Sequence, residues 1–370
     1  MISHRCSALI FAFFTASVAG IAVAQETHPA PVASADLNEP RFSLHGFADV
    51  TLASEWFQRS AVTPNNTAGF ALGQFDLYFV SQLADNISFL GETVFEFASD
   101  GTSMLDVERV LLKYSWSDYL RLAVGRGHTA LGYWNEAYHH GVLLQPTVRR
   151  PEGLKAEDSG GLLPIHFVGL ELSGAAPLTG PWRVEYVGNV ANGRNAIRHK
   201  IQTAGDVDRN KAVALKLSFA REGDRSFRIG PSFYRDRIPP DASIAGREGT
   251  IDGTVLGAHL VYQDESLRFL SEVYSIRNDY TLTGQEFNHS AWYSILVGRL
   301  GKWNPYIGVD GIDYKTGDLF YPATFSDLTR YLGGVRYDVS PFNAVKVEVR
   351  HDRRPQQKSN ALAIQTAFTF

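Results

Sequence analysis

The chain has 370 residues, a formal net charge of −4, 44% hydrophobic residues and 20% charged residues. This near balance of charge excludes the strongly basic class of nucleic-acid-binding proteins, so we expect no nucleic-acid partner. The single cysteine is Cys6, and the chain beyond it therefore has no disulfide framework, no cysteine-based zinc site and no cysteine nucleophile.

The first 24 residues have the organisation of a secretory signal peptide. Arg5 supplies a positive charge, residues 6–24 are small and apolar, and Ala22-Val23-Ala24 forms an A-x-A cleavage site. A membrane anchor is the alternative, but the apolar segment is short and the cleavage residues are in place. Residues 25–40 are rich in alanine and proline and have no periodicity, which predicts a flexible periplasmic leader.

From residue 41 to residue 370 the dominant pattern is an alternation of apolar and polar residues, which is the period of a β-strand. No apolar run reaches the length of a membrane helix, which needs about 20 residues. We predict about sixteen strands, at 41–55, 69–83, 87–98, 106–116, 119–127, 165–174, 181–192, 209–220, 225–236, 250–262, 266–277, 288–300, 303–314, 329–339, 343–353 and 360–370.

The joints between these strands fall into a short and a long class that alternate along the chain. Tight turns are expected at 84–86, 117–118, 263–265, 301–302 and 340–342. The joints between them are long and polar, as at 58–68, 193–208 and 237–249. A closed meander produces this alternation and a Greek-key sandwich does not, so the predicted fold class is all-β: a closed antiparallel up-and-down transmembrane β-barrel of about 16 strands.

The stretch AVKVEVR at 344–350 shows what such a barrel implies for the two faces of a strand. Val345, Val347 and Val349 alternate with three charged residues. In a soluble sandwich the valines would enter a core, whereas in a membrane barrel they face lipid and the charges face a wet lumen. The predicted lumen wall carries the cations Arg109, Lys113, Arg121, Arg183, Lys216, Arg228, Arg268, Arg336, Lys346 and Arg350. It carries fewer acids, namely Asp76, Glu92, Glu96, Glu185, Glu272 and Glu348, which favours a weak preference for anions.

Several segments carry a resemblance to a known family. They are the closing TAFTF, GGVRYD at 333–338, the tight SPF turn at 340–342, and WYSILVGRLGKWNPY at 292–306. In these segments the chain resembles the outer-membrane porins of Gram-negative bacteria, and looks most like the phosphate-selective type of 16-stranded channel. The resemblance covers residues 41–370 in pattern. It implies an outer-membrane location, outer-membrane lipids and small hydrophilic solutes or ions as partners, recognition of Phe370 by the barrel assembly machinery, and a homotrimer.

The longest joint, residues 128–163, acquires a function from the same resemblance. In the porins that the chain resembles, the third long loop folds into the lumen and forms the constriction, and this joint matches in position and length. Its candidate constriction residues are Trp134, His139, His140, Arg149, Arg150, Glu152, Lys155, Glu157 and Asp158. Fixed charges at a narrowing set selectivity through field and diameter. The alternative for this segment is an extracellular lid with solvated charges.

The remaining motifs favour no metal, cofactor or enzyme activity. Adjacent histidines in a loop, such as His139-His140, are seldom metal ligands. Residues 206–210 begin like a calcium loop but lack its glycine and closing glutamate, although an ion that braces an outer loop stays open. No G-x-S-x-G, HExxH or phosphate-loop motif occurs. The predicted function is a water-filled diffusion channel; the alternatives are a barrel enzyme that hydrolyses lipid and a plugged structural or adhesion barrel.

Overall fold

The computed structural model describes residues 41–58, 67–97, 102–138, 141–155, 161–196, 205–206, 208–321 and 325–370. The predicted signal peptide and leader, residues 1–40, lie outside these ranges. The described part is dominated by strands, with a short α-helix, α1, at Trp134–Ala137 and a 3-10 turn at Glu152–Leu154. Among these residues no helix is long and apolar enough to cross a membrane.

All sixteen predicted strands are confirmed, and their ends differ from the prediction by at most three residues. The strands are β1 Arg41–Gln58, β2 Thr67–Ala84, β3 Ile87–Phe97, β4 Ser103–Ser117, β5 Leu120–His128, β6 His166–Pro177, β7 Trp182–Asn192, β8 Lys211–Arg221, β9 Ser226–Ile238, β10 Ile251–Gln263, β11 Leu267–Tyr280, β12 Glu286–Gly298, β13 Trp303–Asp313, β14 Leu328–Ser340, β15 Asn343–Arg354 and β16 Gln357–Thr369.

The strands form one closed antiparallel barrel in which each strand pairs with its neighbours in sequence and β1 pairs with β16. At the seam Gly46 and Phe370 exchange backbone hydrogen bonds of 2.9 and 3.0 Å. A side-chain carbon at position 46 would lie 2.4 Å from the Phe370 ring, which explains why glycine occupies this position. Closure removes every free sheet edge and confirms the predicted fold class.

The alternation of the sequence appears in the burial of each strand. In β15 Lys346 and Glu348 are 0% and 4% exposed, whereas Val347 and Val349 are 41% and 59% exposed. The charged residues therefore lie on the inner face of the barrel and the valines on its outer face. A sheet that closes on itself has an interior that polar side chains and loops can fill, and an exterior that needs an apolar solvent.

One detail of the predicted topology is wrong, because the short and long joints do not alternate strictly. The joint between β15 and β16 contains only Pro355 and Gln356, although residues 354–359 were expected to form a joint of the long class. The polar run HDRRPQQKSN at 351–360 suggests a loop. In the structure most of it belongs to the ends of two strands, where side chains can be polar because they approach the aqueous rim.

The aromatic residues near the strand ends are divided between the two faces. Trp116 and Trp303 are 56% and 57% exposed on the outer face, as expected for an interfacial girdle. Tyr306 also lies near a strand end, but it is buried and its hydroxyl donates to the Glu348 carboxylate over 3.0 Å. Residues 303 and 306 have opposite parity in β13 and therefore face opposite sides, so Tyr306 is not part of a girdle.

Candidate functional site

The segment at 128–163 is held to the inner face of the barrel through its backbone. Three carboxylates on alternate strands of the wall accept hydrogen bonds from amide groups of the segment. Glu272 accepts from Trp134 over 2.6 Å, Asp310 from Glu152 over 3.0 Å, and Glu348 from Val148 over 3.1 Å. Because the donors are main-chain groups, this anchoring depends on the path of the segment more than on its side chains.

Two cations opposite each other in the wall hold the middle of the segment. Lys346 donates to the carbonyl oxygens of Val142 and Thr147 over 2.6 and 3.0 Å. Arg336, its direct partner in register, donates to two more carbonyl oxygens of the segment. Opposed like charges destabilise a sheet. Here the carbonyl dipoles of the segment, together with the Asp338 carboxylate 2.7 Å from Arg336, supply the compensating negative charge.

Replacing Lys346 with methionine is therefore expected to loosen the segment. Two buried carbonyl oxygens would lose their donor, and an unsatisfied buried acceptor costs about 1–3 kcal/mol. We expect the free energy of unfolding to fall by about 2–4 kcal/mol, and trypsin to cleave after Arg149 faster than in the parent. The control is Lys113→Met, because Lys113 has no hydrogen bond or ion pair among the described residues. Equal effects of the two substitutions would contradict the anchoring function of Lys346.

The hydrogen bonds and ion pairs of the segment lie mainly on one side of the barrel. Besides the contacts to β11 and β13–β16, Ala130 donates its amide to Asn189 in β7 over 2.6 Å, and Glu136 in α1 pairs with Lys216 in β8. The surrounding barrel partly desolvates the Glu136 carboxyl, although its side chain is exposed to solvent, and the charge of Lys216 outweighs this desolvation and lowers the pKa of the carboxyl. The segment therefore begins near β7 and β8 and then follows the wall from β11 to β16.

The predicted constriction residues occupy different environments. Trp134 is 1% exposed, and Arg149 is exposed. Arg150 donates to the carbonyl oxygen of Leu154 over 3.3 Å. The structure brings Glu152, Lys155 and a wall arginine together, as described next. The remaining candidates, His139, His140, Glu157 and Asp158, lie outside the described residues.

Glu152 is the centre of an ion-pair network between the segment and the wall. Its carboxylate lies 3.0 Å from Arg330 and 2.6 Å from Lys155. Burial opposes ionisation, but these two cations outweigh it and hold the pKa of Glu152 below its usual value. Arg330 also forms two hydrogen bonds of 2.8 Å with Asp352. The network fixes the 3-10 turn against β14 and β15.

The predicted wall cations lie on the inner face and differ in how their charge is compensated. Seven of them have carboxylate partners: Arg109 with Glu92, Arg121 with Asp118, Arg183 and Arg228 with Glu185, Lys216 with Glu136, Arg336 with Asp338, and Arg350 with Asp352. Arg268 instead donates to two neutral acceptors, Gln263 over 2.6 Å and the Tyr138 hydroxyl over 3.1 Å. Lys113 has no hydrogen bond or ion pair among the described residues, so neither of these two cations has a described carboxylate within ion-pair distance.

A second segment, the joint between β13 and β14, also packs on the inner face. The Asp318 carboxylate accepts hydrogen bonds from Asn278 over 2.7 Å and from the Tyr280 hydroxyl over 2.6 Å, and lies 2.8 Å from the ring of His289. These bonds lower the pKa of Asp318 although its burial would raise it. The hydroxyl of Tyr321 donates to the carbonyl of Leu162 over 3.2 Å and so connects the two segments.

The anchoring groups were only partly recognisable from the sequence. Alternation places Glu272 and Glu348 on the inner wall, but as charges facing water. Asp310 in YIGVDGI was not recognised as a site residue, nor was Gln365 in ALAIQTAF, whose side-chain amide donates to the carbonyl oxygen of Val148 over 3.3 Å. The available signal is a single acid or amide at an inner position of an otherwise apolar strand, because such a residue needs a partner. No group of three or more potential metal ligands occurs in the described ranges.

The comparisons with known proteins concern the fold. No protein-family model matches the chain, and no curated protein matches it. Among solved structures, the anion-selective porin from Comamonas acidovorans matches with a TM-score of 0.62 and 11% identity, over 90% of this chain and 100% of that chain. OmpF of Salmonella typhi, in complex with daunomycin, matches with a TM-score of 0.57 and 12% identity, over 89% and 97% of the two chains. OmpT, an outer-membrane protein of Vibrio cholerae, matches with a TM-score of 0.57 and 11% identity, over 91% and 99%. The chain therefore has the barrel fold of these outer-membrane proteins.

Proposed function

We propose that the protein is an outer-membrane porin, a water-filled diffusion channel for small hydrophilic solutes or ions. The observation that carries this proposal is the closed 16-strand barrel with charged residues on its inner face and exposed valines and leucines on its outer face. In lipid a sheet must close to satisfy its backbone, and a barrel of about 16 strands is wide enough for an aqueous channel. The likeness in fold to an anion-selective porin supports the proposal.

The segment at 128–163 would form the constriction of this channel. Its anchors on β11 and β13–β16 support a position against one side of the interior, with a passage between it and the wall formed by β2–β6. Glu136 in α1 is exposed, and Lys113 and Glu171 are partly exposed on the inner face of β4 and β6. These groups would border the passage, so ions would pass between charges of both signs.

The test is ion conductance in a planar lipid bilayer. We expect the purified barrel to conduct, and a salt gradient to give a reversal potential that indicates a weak anion preference. The double substitution Lys113→Gln and Arg268→Gln should shift this potential toward cations, because it removes two wall cations that have no described carboxylate partner. Arg121→Gln and Arg350→Gln form the matched control, since both arginines have such partners. A barrel that does not conduct would overturn the proposal; equal shifts in both variants would overturn only the assignment of the two cations.

The orientation of the barrel gives a separate prediction about location. The joints that follow even-numbered strands should face the periplasm, and those that follow odd-numbered strands should face the medium. Because Cys6 belongs to the predicted signal peptide, a single introduced cysteine gives a specific label. Intact cells should be labelled at Thr283→Cys, in the exposed turn between β11 and β12, and not at Asp85→Cys, in the turn between β2 and β3. Labelling at position 85 alone would invert the proposed orientation.

A homotrimer and interaction with the assembly machinery remain part of the proposal. A patch of phenylalanines covers the outer face where the two ends of the barrel meet. The pairs Phe42–Phe79, Phe79–Phe89 and Phe75–Phe370 have ring centroids 5.6–5.8 Å apart. Phe42 is 63% exposed and Phe370 is 56% exposed. Such a surface could be covered by lipid or by a second copy, and cross-linking of the folded protein in neutral detergent would establish whether trimers form.

One observation favours the alternative of a barrel enzyme. Ser218 Oγ and His259 Nε2 lie 3.0 Å apart on the inner face, as in a nucleophile–base pair. Ser218 is only 2% exposed, and among the described residues Nδ1 of His259 has no carboxylate to orient it. We therefore prefer the channel. Lipid-ester hydrolysis that is lost in Ser218→Ala would favour the enzyme instead.

A further inference from the structure

Two cations lie side by side on the outer face of the barrel, next to the turn at Pro355 and Gln356. Arg353 in β15 and Lys358 in β16 are directly opposite each other in register, and both are exposed. The Cβ atoms of directly opposed residues are about 4.5–5.5 Å apart, so like charges there destabilise the strand pair. Within the described ranges neither residue has a carboxylate partner, so this pair of charges has no compensating anion in the chain described.

The inner wall contains a similar pair whose compensation is visible. Arg336 and Lys346 are also directly opposed. Both donate to carbonyl oxygens of the segment at 128–163, and Arg336 also pairs with Asp338 over 2.7 Å. Among the residues that the structure describes, no segment of this kind packs against the outer pair. By analogy, the missing partner of Arg353 and Lys358 is an acceptor of negative charge that approaches the barrel from outside.

The side chain of Arg353 is positioned by its neighbours. Its Nε lies 3.2 Å from Nε2 of His351, and the guanidinium carbon lies 5.3 Å from the centre of the Tyr331 ring. An arginine can only donate, so Nε2 of His351 accepts and its Nδ1 carries the proton that Asn360 Oδ1 accepts over 2.8 Å. These contacts leave the two terminal guanidinium nitrogens of Arg353 for a ligand, because the described residues give them no acceptor.

The outer face becomes apolar one pair beyond these cations. The next opposed pair on this face is His351 and Asn360, and Val349 with Leu362 and then Val347 with Ile364 follow. The exposed fractions of these four aliphatic residues are 59%, 38%, 41% and 42%. Four residues of a strand span about 13 Å. A ligand that fits this outer face has an anionic group at one end and apolar chains that extend along the barrel wall.

We propose that the cationic patch formed by Arg353, Lys358, His351 and Tyr331 binds the phosphate of a phosphorylated acyl-sugar lipid in the outer leaflet. The acyl chains lie along the four exposed aliphatic residues. Arginine binds phosphate through paired hydrogen bonds, and basic residues at a membrane surface attract anionic head groups. The proposal rests on the outer-membrane location proposed above.

The charges elsewhere on the outer face disfavour a second copy of the chain as the occupant. A partner barrel would need a carboxylate to reach the patch. Toward the rim of β10–β12, Asp252 forms an ion pair of 2.5 Å with Arg237, and Asp279 and Glu286 form pairs of 2.9 and 2.8 Å with Arg277. These acids are already compensated within their own barrel, whereas a lipid phosphate brings a charge that has no such partner.

The test measures lipid binding to the folded barrel in neutral detergent. The probe is a hexa-acylated glucosamine disaccharide with two phosphates, compared with the same lipid after removal of both phosphates, and bound lipid is counted by native mass spectrometry. The parent should retain the phosphorylated lipid at least tenfold better than the dephosphorylated lipid, and this difference should shrink at high salt. Each basic residue should raise the affinity for the phosphorylated lipid about fivefold. The double substitution Arg353→Gln with Lys358→Gln should therefore weaken binding of this lipid about 25-fold. Arg353→Lys, which keeps the charge, should retain much of the binding.

The matched control is Lys211→Gln with Arg237→Gln. It removes the same charge from exposed positions of the same rim, where both cations pair with an acid. We expect this control to bind the lipid as well as the parent does. A loss as large as that of Arg353→Gln with Lys358→Gln would show that the lipid is attracted by net charge, and would overturn the assignment of the patch.

Equal retention of the two lipids would overturn phosphate as the ligand. A disulfide-linked oligomer from Lys358→Cys would identify a second copy as the occupant. Folding is verified by heat-modifiable migration in electrophoresis, and the single substitution Lys358→Gln serves if the double variant does not fold. A conducting barrel that binds neither lipid contradicts this inference alone, and a barrel that binds lipid without conducting contradicts only the channel.

Discussion

Replacing Val347 with arginine is expected to destabilise the barrel by about 2–4 kcal/mol or to prevent its assembly. Val347 is 41% exposed on the outer face, five residues into β15, and it lies between the aliphatic neighbours Val335 and Ile364. If this face meets lipid, the guanidinium must either enter hydrocarbon or bend toward the rim, and both are unfavourable. Urea unfolding of the purified protein in lipid vesicles measures the difference in free energy.

The control is the same substitution at Val339. This valine is also on the outer face and is 44% exposed, but it lies next to the turn that ends β14 at Ser340. The cost of a cation falls to about 0–1 kcal/mol near the membrane interface, so Val339→Arg should be nearly silent. Similar losses at both positions would mean that the outer face does not cross a bilayer at the proposed depth, and negligible losses at both would mean that it faces water.

The strands were predictable because each one repeats a two-residue pattern under a strong physical constraint. An inner lysine and an outer valine, as at Lys346 and Val347, cannot exchange places without exposing charge to lipid. Strand ends were less predictable, since near the rim both faces can be polar. The residues Arg354, Lys358 and Ser359 therefore resembled a loop in sequence although they lie in β15 and β16.

The anchoring of the segment at 128–163 could not be derived from its own residues. Its strongest contacts are made by backbone amides and carbonyl groups, and these are present in every sequence. The specificity resides in the wall, where Glu272, Asp310 and Glu348 occupy inner positions of strands that are adjacent to the path of the segment only in three dimensions. Alternation gives the face of each of these residues but not the group that it contacts.

Deleting residues 138–155 and closing the gap with two glycines is expected to raise the single-channel conductance severalfold. The deletion removes the part of the segment that contacts β13–β16 and leaves α1 near its start. Conductance in a wide pore increases with the narrowest cross-section, so removal of the constriction should have a larger effect than any single charge substitution. The parent, the deletion variant and a control are compared in planar bilayers at the same salt concentration.

The control deletion removes residues 240–248 from the joint between β9 and β10. This joint also packs over the barrel, with the Arg247 guanidinium 5.4 Å from the Phe320 ring, but it has no described contact with the wall from β13 to β16. We expect it to change conductance little. Loss of the longer segment should leave the barrel folded, because Lys346, Asp310 and Glu348 would then be hydrated by lumen water instead of being buried without partners. If conductance stays at the parental value in a barrel that still folds, the segment is an outer lid, and the narrowest part of the channel must be built from the wall itself or from the joint that carries Asp318.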